Sequence, residues 1–94
     1  MSILVRYNPS NLTPEKYEAT NKQIEEAGLE WPADGLEVHV CFGRDGDLRV
    51  SEVWESQEKW EAFAARLMPI LEDAGIEFSS EPEVFEVENL AMAG

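Results

Sequence analysis

Two ionisable side chains with complementary chemistry, His39 and Glu52, are the strongest candidates for a reactive site. His39 is the only histidine of the chain, and imidazole is the side chain that most readily exchanges a proton near neutral pH. A neighbouring carboxylate can orient the imidazole ring so that it accepts a proton from a phenol-like or enol-like substrate. The alternative is an ordinary cross-strand contact between the two side chains in a partly buried sheet.

Three further side chains are candidates for binding or chemistry. Arg6 could hold a phenolate or a carboxylate through its fork of N–H donors, or could pair with one of the many acidic residues. Trp54 could line a ligand pocket or belong to the core. Cys41 lies between Val40 and Phe42, and a thiol in apolar surroundings stays protonated, so Cys41 is a poor nucleophile.

The sequence predicts neither a metal site nor a cofactor site. One histidine, one cysteine and scattered acidic residues do not form any of the recognised metal-ligand spacings. A glycine-rich phosphate-binding loop is missing as well, because Gly43 and Gly46 belong to a predicted turn. The predicted site therefore consists of protein side chains alone.

The side chains of His39 and Glu52 come together only if two strands pair in one particular register. Apolar runs over 36–42 and 48–54 flank Asp45-Gly46, a dipeptide typical of the two-residue type I′ turn of a β-hairpin. With these two residues as the loop, His39 lies opposite Glu52. The same register predicts four more pairs: Glu37 with Trp54, Val38 with Val53, Val40 with Ser51, and Cys41 with Val50.

The remaining segments predict two helices and two more strands. Thr13 and Ser56 have the side chains of helix N-caps, while Gly28 and Gly75 are typical of residues that end a helix. The second helix has an apolar residue at every third or fourth position, and it contains Pro69, which should kink it. The two strands outside the hairpin are predicted at 3–7 and 84–90.

The predicted order of elements, βαββαβ, indicates an α+β fold of the ferredoxin-like type. In a single antiparallel sheet with right-handed crossovers, both helices cover the same face of the sheet. The 94 residues suffice for one such domain, which we predict over 1–94. The other face of the sheet must then be wet or covered by something else.

We expect that uncovered face to be too apolar for water. The hairpin register gives it Leu48, Val50 and Trp54, on the same side as His39 and Glu52. A second copy of the chain is the simplest cover for such a surface, which predicts a homodimer. An aromatic-rich core within a monomer is the alternative.

The charge of the chain excludes several classes of partner. Twenty Asp and Glu residues against seven Lys and Arg give a formal net charge of -13. This charge repels phosphate backbones and anionic lipids, so we expect neither nucleic acid nor a membrane as partner. No apolar run approaches the ~20 residues that a membrane span needs. The single cysteine and the absence of a visible signal peptide favour the cytoplasm.

The segment Glu52-Val53-Trp54-Glu55-Ser56, followed by a helix through Phe63, Leu67 and Pro69, resembles the middle of the antibiotic biosynthesis monooxygenase-like domains. These domains belong to the dimeric α/β-barrel superfamily, and the likeness extends over the whole chain in length and element order. It implies a barrel formed by the sheets of two subunits. It also implies an aromatic substrate and no metal or flavin, because in the enzymes of this family the substrate itself supplies the electrons for oxygen.

The chain departs from the family pattern on the second helix. Family members often carry a histidine where this chain reads Ala64-Ala65-Arg66, so no catalytic role is assigned to that position. The first hypothesis is a cofactor-independent monooxygenase that acts on a small aromatic or enol-like molecule. The alternative is a non-catalytic dimeric module that binds a small molecule or is purely structural. The candidate residues are His39 and Glu52 for catalysis, and Arg6 and Trp54 for substrate binding.

Overall fold

A computed structural model describes residues 1–92; residues 93–94, which the predicted domain includes, lie outside the described residues. The sheet has the strand order β2-β3-β1-β4, and all neighbouring strands are antiparallel. This is the predicted ferredoxin-like α+β fold. The elements span Ile3–Tyr7 (β1), Pro14–Glu26 (α1), Leu36–Arg44 (β2), Asp47–Trp54 (β3), Gln57–Asp73 (α2) and Glu83–Glu86 (β4).

Both helices begin at the predicted N-caps. The hydroxyl of Thr13 accepts a hydrogen bond from the backbone N–H of Lys16 at 3.2 Å, and the hydroxyl of Ser56 accepts one from Lys59 at 3.3 Å. Each cap satisfies a backbone donor that the first turn of a helix would otherwise leave free. Over residues 1–92, no helix has both the length and the apolar character needed to cross a bilayer.

The hairpin of β2 and β3 places His39 opposite Glu52, as predicted. One predicted pair is wrong, because Trp54 lies opposite Leu36 rather than Glu37. The register shifts between Leu36 and Val38, and this irregularity lets Leu36 pack against the core. The predicted pairs of Val38 with Val53, Val40 with Ser51 and Cys41 with Val50 are confirmed.

The turn between β2 and β3 is not of the predicted type I′. That type needs a positive φ at both central residues. Gly46 has one, at +83°, but Asp45 does not. The register survives because Arg44 still pairs with Asp47, which leaves a loop of the predicted length. Close to the turn, Gly43 has a φ of +118°, and a Cβ there would lie only 2.5 Å from the carbonyl oxygen of Asp47.

The sheet face beneath the helices is the one that we expected to be open. Trp54 is fully buried within the chain, and its ring lies 5.4 Å from the ring of Phe63 on α2. Leu48 and Val50 pack against the same core. The prediction that these residues form an uncovered face is therefore wrong. The alternation of a strand separates its two faces, but both faces of this hairpin are apolar, and the pattern does not say which one the helices cover.

The face that the helices leave uncovered is apolar as well. Val40, Phe42 and Phe85 are 45%, 45% and 46% exposed on it. Leu4 lies between Val53 on one neighbouring strand and Phe85 on the other, so a row of apolar residues crosses the sheet beside the polar pair of Arg6 and Ser51. The single chain thus has an apolar sheet face in contact with water, although it is the opposite face from the one predicted.

We expect Gly43→Ala to destabilise the protein more than Gly46→Ala. Both glycines have a positive φ, where a side chain costs roughly 1–2 kcal/mol. Only at Gly43 would the new Cβ also meet a backbone atom, because nothing lies within 4 Å of a Cβ built on Gly46. Urea denaturation should give Gly43→Ala an unfolding free energy at least about 1 kcal/mol below that of Gly46→Ala. Equal losses would contradict the close approach of the two strands.

Candidate functional site

A cavity of about 70 Å³ lies between the sheet and the two helices. A single buried water needs roughly 10–15 Å³ on this scale, so the cavity has room for several waters or part of a small ligand. Its polar lining is limited to a few side chains, including Thr20, Asn21, His39 and Glu52. The rest of the wall is mainly apolar and is rich in aromatic rings, contributed by Tyr7, Tyr17, Trp31, Phe63 and Phe78.

Glu52 brings a carboxylate into this apolar setting, and the residue is only 3% exposed. Its Oε2 atom lies 2.7 Å from Nδ1 of His39, and its Oε1 atom accepts a hydrogen bond from Nε1 of Trp54 at 3.1 Å. A buried carboxylate is tolerated only where its oxygens are hydrogen-bonded. The two contacts therefore explain how Glu52 can lie under the helices, and they fix its orientation.

Glu52 also determines which nitrogen of His39 can act as a base. An ionised carboxylate only accepts hydrogen bonds, so Nδ1 of His39 must carry the proton between them. In the neutral imidazole, the lone pair is then on Nε2. The side chain of His39 lines the cavity and is 21% exposed. The structure thus combines the two predicted catalytic residues into one oriented acid–base pair.

Tyr17 on α1 extends the hydrogen-bond chain, and the sequence did not identify it. Its hydroxyl oxygen lies 2.8 Å from Nε2 of His39, to which it donates when Nδ1 is protonated. Its ring stacks on the imidazole, with centroids 6.2 Å apart and planes inclined by 18°. Trp31 meets the imidazole edge-on at 5.1 Å. A helical pattern does not indicate which strand the hydroxyl of an inward-facing tyrosine meets.

The two predicted substrate-binding residues do not lie on the cavity wall. Trp54 is fully buried and supports Glu52 through its indole N–H, so its contact with the site is indirect. Arg6 is exposed and alternates along β1 with Val5 and Tyr7, which face the helices. Arg6 therefore lies on the other face of the sheet from the His39–Glu52 pair, and the structure does not bring it to the site.

Burial keeps both phenols of the cavity protonated. Tyr7 is 6% exposed, and its hydroxyl accepts a hydrogen bond from Nε1 of Trp60 at 2.8 Å. Burial raises the pKa of Tyr7 far above its usual value, and the negative charge of Glu52 raises it further. Burial is also the main cause of the raised pKa of Tyr17. Both hydroxyls therefore remain hydrogen-bond donors at neutral pH.

The thiol of Cys41 has the character expected from the sequence. Cys41 lies on the same strand as His39, and burial raises its pKa, which keeps it protonated and unreactive. Within residues 1–92, no three His, Cys, Asp or Glu side chains are grouped so that they could hold a metal ion. Among the described residues, the chemistry of the cavity therefore centres on His39, Glu52 and Tyr17.

We expect the stability of the protein to fall as the pH rises above about 9 to 10. A raised pKa stabilises the folded state fully below the ordinary pKa of the group, which is 9.0 for Cys41 and 10.0 for Tyr7 and Tyr17. Above that pH the unfolded chain releases the proton first, so the stabilisation is lost by up to about 1.4 kcal/mol per pH unit for the buried Tyr7, and by less for Tyr17 and Cys41, which solvent screens. In urea denaturation between about pH 9.5 and 11.5, Tyr7→Phe should lose stability less steeply than the wild type. Equal slopes would contradict the perturbed pKa of Tyr7.

No protein-family model and no curated protein match the sequence, but solved structures match the fold. A protein from Chloroflexus aurantiacus J-10-fl, provisionally classed as an antibiotic biosynthesis monooxygenase, has a TM-score of 0.57 and 18% identity over 99% of this chain and 97% of its own. SnoaB, a cofactor-independent oxygenase from Streptomyces nogalater, has a TM-score of 0.57 and 14% identity over 95% of this chain and 93% of its own. A protein from Deinococcus radiodurans, of the same provisional class as the first, has a TM-score of 0.55 and 12% identity over 100% of both chains. The chain therefore has the ferredoxin-like fold of the antibiotic biosynthesis monooxygenase-like proteins.

Proposed function

We propose that this protein binds a small phenol or enol in the cavity and oxidises it with molecular oxygen, as a cofactor-independent monooxygenase. The observation that carries the proposal is the hydrogen-bonded series Trp54–Glu52–His39, which directs an oriented imidazole nitrogen at an aromatic-lined cavity. The fold supports the same class of reaction, because SnoaB, a cofactor-independent oxygenase, shares it.

The lining of the cavity favours a neutral hydroxyaromatic ligand over an aromatic acid. Aromatic side chains such as Trp31 and Phe63 offer ring faces and edges to a flat ligand. None of the described residues that line the cavity is a lysine or arginine, and the one carboxylate there, Glu52, repels a second anion. A neutral O–H group instead finds an acceptor in Nε2 of His39.

His39 would act as the general base. Its Nε2 atom takes the proton of the substrate hydroxyl, and Glu52, hydrogen-bonded to Nδ1, stabilises the imidazolium that forms. The resulting phenolate or enolate passes one electron to O2, and the radical pair combines into a peroxide at a ring carbon. Loss of the hydrogen on that carbon and cleavage of the O–O bond release water and leave a carbonyl. For 1-naphthol, the balance is one naphthol and one O2 giving 1,4-naphthoquinone and one water.

The alternative is a non-catalytic module that binds the same class of ligand without turnover. It is favoured by the absence of a histidine from α2, where the chain reads Ala64-Ala65-Arg66. Binding of a phenol fits both functions, whereas consumption of oxygen fits only the monooxygenase. Measuring the two quantities on the same protein therefore separates the hypotheses.

We further propose that the uncovered sheet face joins two copies of the chain into a dimeric barrel. Val40, Phe42 and Phe85 are nearly half exposed on that face, and an apolar surface of this kind is typical of an interface. A small domain also gains stability when it buries such a surface against a second copy. We expect the dimer to work in the cytoplasm, where its unreactive single thiol would remain reduced.

We expect His39→Ala/Tyr17→Phe to bind 1-naphthol roughly 5- to 10-fold more weakly than Tyr17→Phe, because the ligand loses the hydrogen bond to Nε2 and the Tyr17 hydroxyl competes for that nitrogen in neither protein. Oxygen uptake with 1-naphthol should fall below detection. The matched control is Cys41→Ser, on the same strand but outside the cavity wall, which should bind like the wild type. Isothermal titration measures affinity, and an oxygen electrode measures turnover. Equal affinity in the double variant and in Tyr17→Phe would remove His39 from the site, and binding without oxygen uptake in the wild type would favour the non-catalytic module.

We expect Phe42→Asp to convert a dimeric wild type into a monomer, because it places a charge on the uncovered sheet face. Ala65→Asp adds the same charge on an exposed position of α2 and should leave the dimer intact. Sedimentation velocity at micromolar concentration distinguishes monomer from dimer. Physiological salt is used because it largely screens the repulsion between two copies that each carry a formal charge of -13. A monomeric wild type under these conditions would contradict the dimeric barrel.

A further inference from the structure

We infer that Tyr17 competes with the substrate for His39: in the free protein its phenol hydroxyl occupies the nitrogen that a substrate hydroxyl has to reach. The inference rests on the proposed function, in which Nε2 of His39 is the base. It adds a residue that controls access to that base, and it explains why a tyrosine from α1 is hydrogen-bonded to a strand residue on the cavity wall.

The contact has the form expected of a bound phenol. The hydroxyl of Tyr17 is 2.8 Å from Nε2, and its ring lies nearly parallel to the imidazole. Glu52 occupies the other ring nitrogen, so Nε2 is the only position on His39 that can accept a hydrogen bond. A substrate O–H group and the Tyr17 O–H group therefore cannot both donate to His39.

The acidity of Tyr17 makes it a blocking group rather than a substrate for the base. Burial raises its pKa, so it holds its proton more tightly than a phenol in water. A ligand such as 1-naphthol, whose hydroxyl is intrinsically more acidic than that of tyrosine, gives up its proton to Nε2 more readily in the same surroundings. His39 thus discriminates between the two phenols by their acidity once the ligand has displaced Tyr17.

The two phenols of the cavity differ in how firmly they are held. Tyr7 is buried, and its hydroxyl is hydrogen-bonded to Trp60. Tyr17 is half-buried, and the neighbouring lining residue Asn21 is exposed, which places Tyr17 where the cavity opens to solvent. Tyr17 packs against the edge of the core and is only half-buried, so turning it away from His39 uncovers less apolar surface than moving the buried Tyr7 would.

The competition predicts that loss of the Tyr17 hydroxyl strengthens ligand binding. A hydrogen bond of this kind changes an equilibrium by about 3- to 10-fold, so Tyr17→Phe should bind 1-naphthol about 3- to 10-fold more tightly than the wild type. Phenylalanine keeps the ring and its stacking on His39. A purely structural role for Tyr17 predicts the opposite sign, because the loss of a satisfied hydrogen bond then loosens the site.

A second measurement needs no ligand. Diethyl pyrocarbonate transfers an ethoxyformyl group to a neutral imidazole nitrogen, and its other half leaves as ethanol and carbon dioxide. Because His39 is the only histidine, the ultraviolet absorbance change that reports ethoxyformyl-histidine comes from one site. Tyr17→Phe should accelerate this reaction about 3- to 10-fold by freeing Nε2. Ala19→Ser is the control, because Ala19 is an exposed residue of the same helix as Tyr17 and does not line the cavity, and it should leave the rate unchanged.

The two readouts separate this inference from the proposed function. Tighter 1-naphthol binding together with faster acylation of His39 in Tyr17→Phe supports the competition. Equal or weaker binding of 1-naphthol by Tyr17→Phe, together with an unchanged acylation rate, overturns the competition. The proposed function still stands in that case if the wild type binds 1-naphthol. If neither protein binds 1-naphthol, the proposed function fails, and the acylation rates alone show whether Tyr17 shields His39.

Discussion

The buried carboxylate of Glu52 is the constraint on which the site depends. An ionised carboxylate removed from water costs several kcal/mol unless charge-assisted hydrogen bonds replace its hydration. Glu52 is 3% exposed and has two such partners, the ring N–H of His39 and the indole N–H of Trp54. Each partner is thereby held in one orientation, and the tautomer of His39 is fixed. The chemistry available to the cavity follows from the need of the two Glu52 oxygens for hydrogen-bond donors.

The sheet carries apolar side chains on both faces, and each face needs a surface that shields it from water. One face closes over Trp54 and the cavity beneath the helices. The other leaves Val40, Phe42 and Phe85 in contact with water. A sheet with one wet face normally alternates apolar and polar residues. The uncovered face here breaks that rule, and the proposed dimer would bury it.

The sequence allowed the fold and the central pair of the site to be predicted, because both depend on local signals. The Asp45-Gly46 turn set the hairpin register, and that register alone placed His39 opposite Glu52. The turn gave the correct pairs from Val38 to Cys41 although the predicted turn type was wrong. The register shift at Leu36 could not be predicted from the sequence, because an irregularity at the end of a strand interrupts the alternation on which the prediction depends.

The errors concern which surfaces meet in three dimensions. Strand alternation separates Arg6 from its neighbours on β1, but it does not say whether Arg6 or those neighbours face the helices. Once the helices cover the face with Trp54, Arg6 is necessarily on the far side from His39. Tyr17 was missed for a related reason: its contact crosses from a helix to a strand, and no sequence period links residues of different elements.

The site therefore combines a firmly held half with a half that is open to solvent. Glu52 and Trp54 are buried on the sheet, and His39 is tied to them by a short hydrogen bond. Tyr17 and Trp31 approach the imidazole from α1 and the following loop, where Tyr17 is half-buried and Trp31 is 46% exposed. In the proposed function, the base must keep its orientation during proton transfer, whereas the groups that cover it must move aside for a ligand. The division of the site between sheet and helix meets both requirements, because burial is greatest where orientation matters and least where access matters.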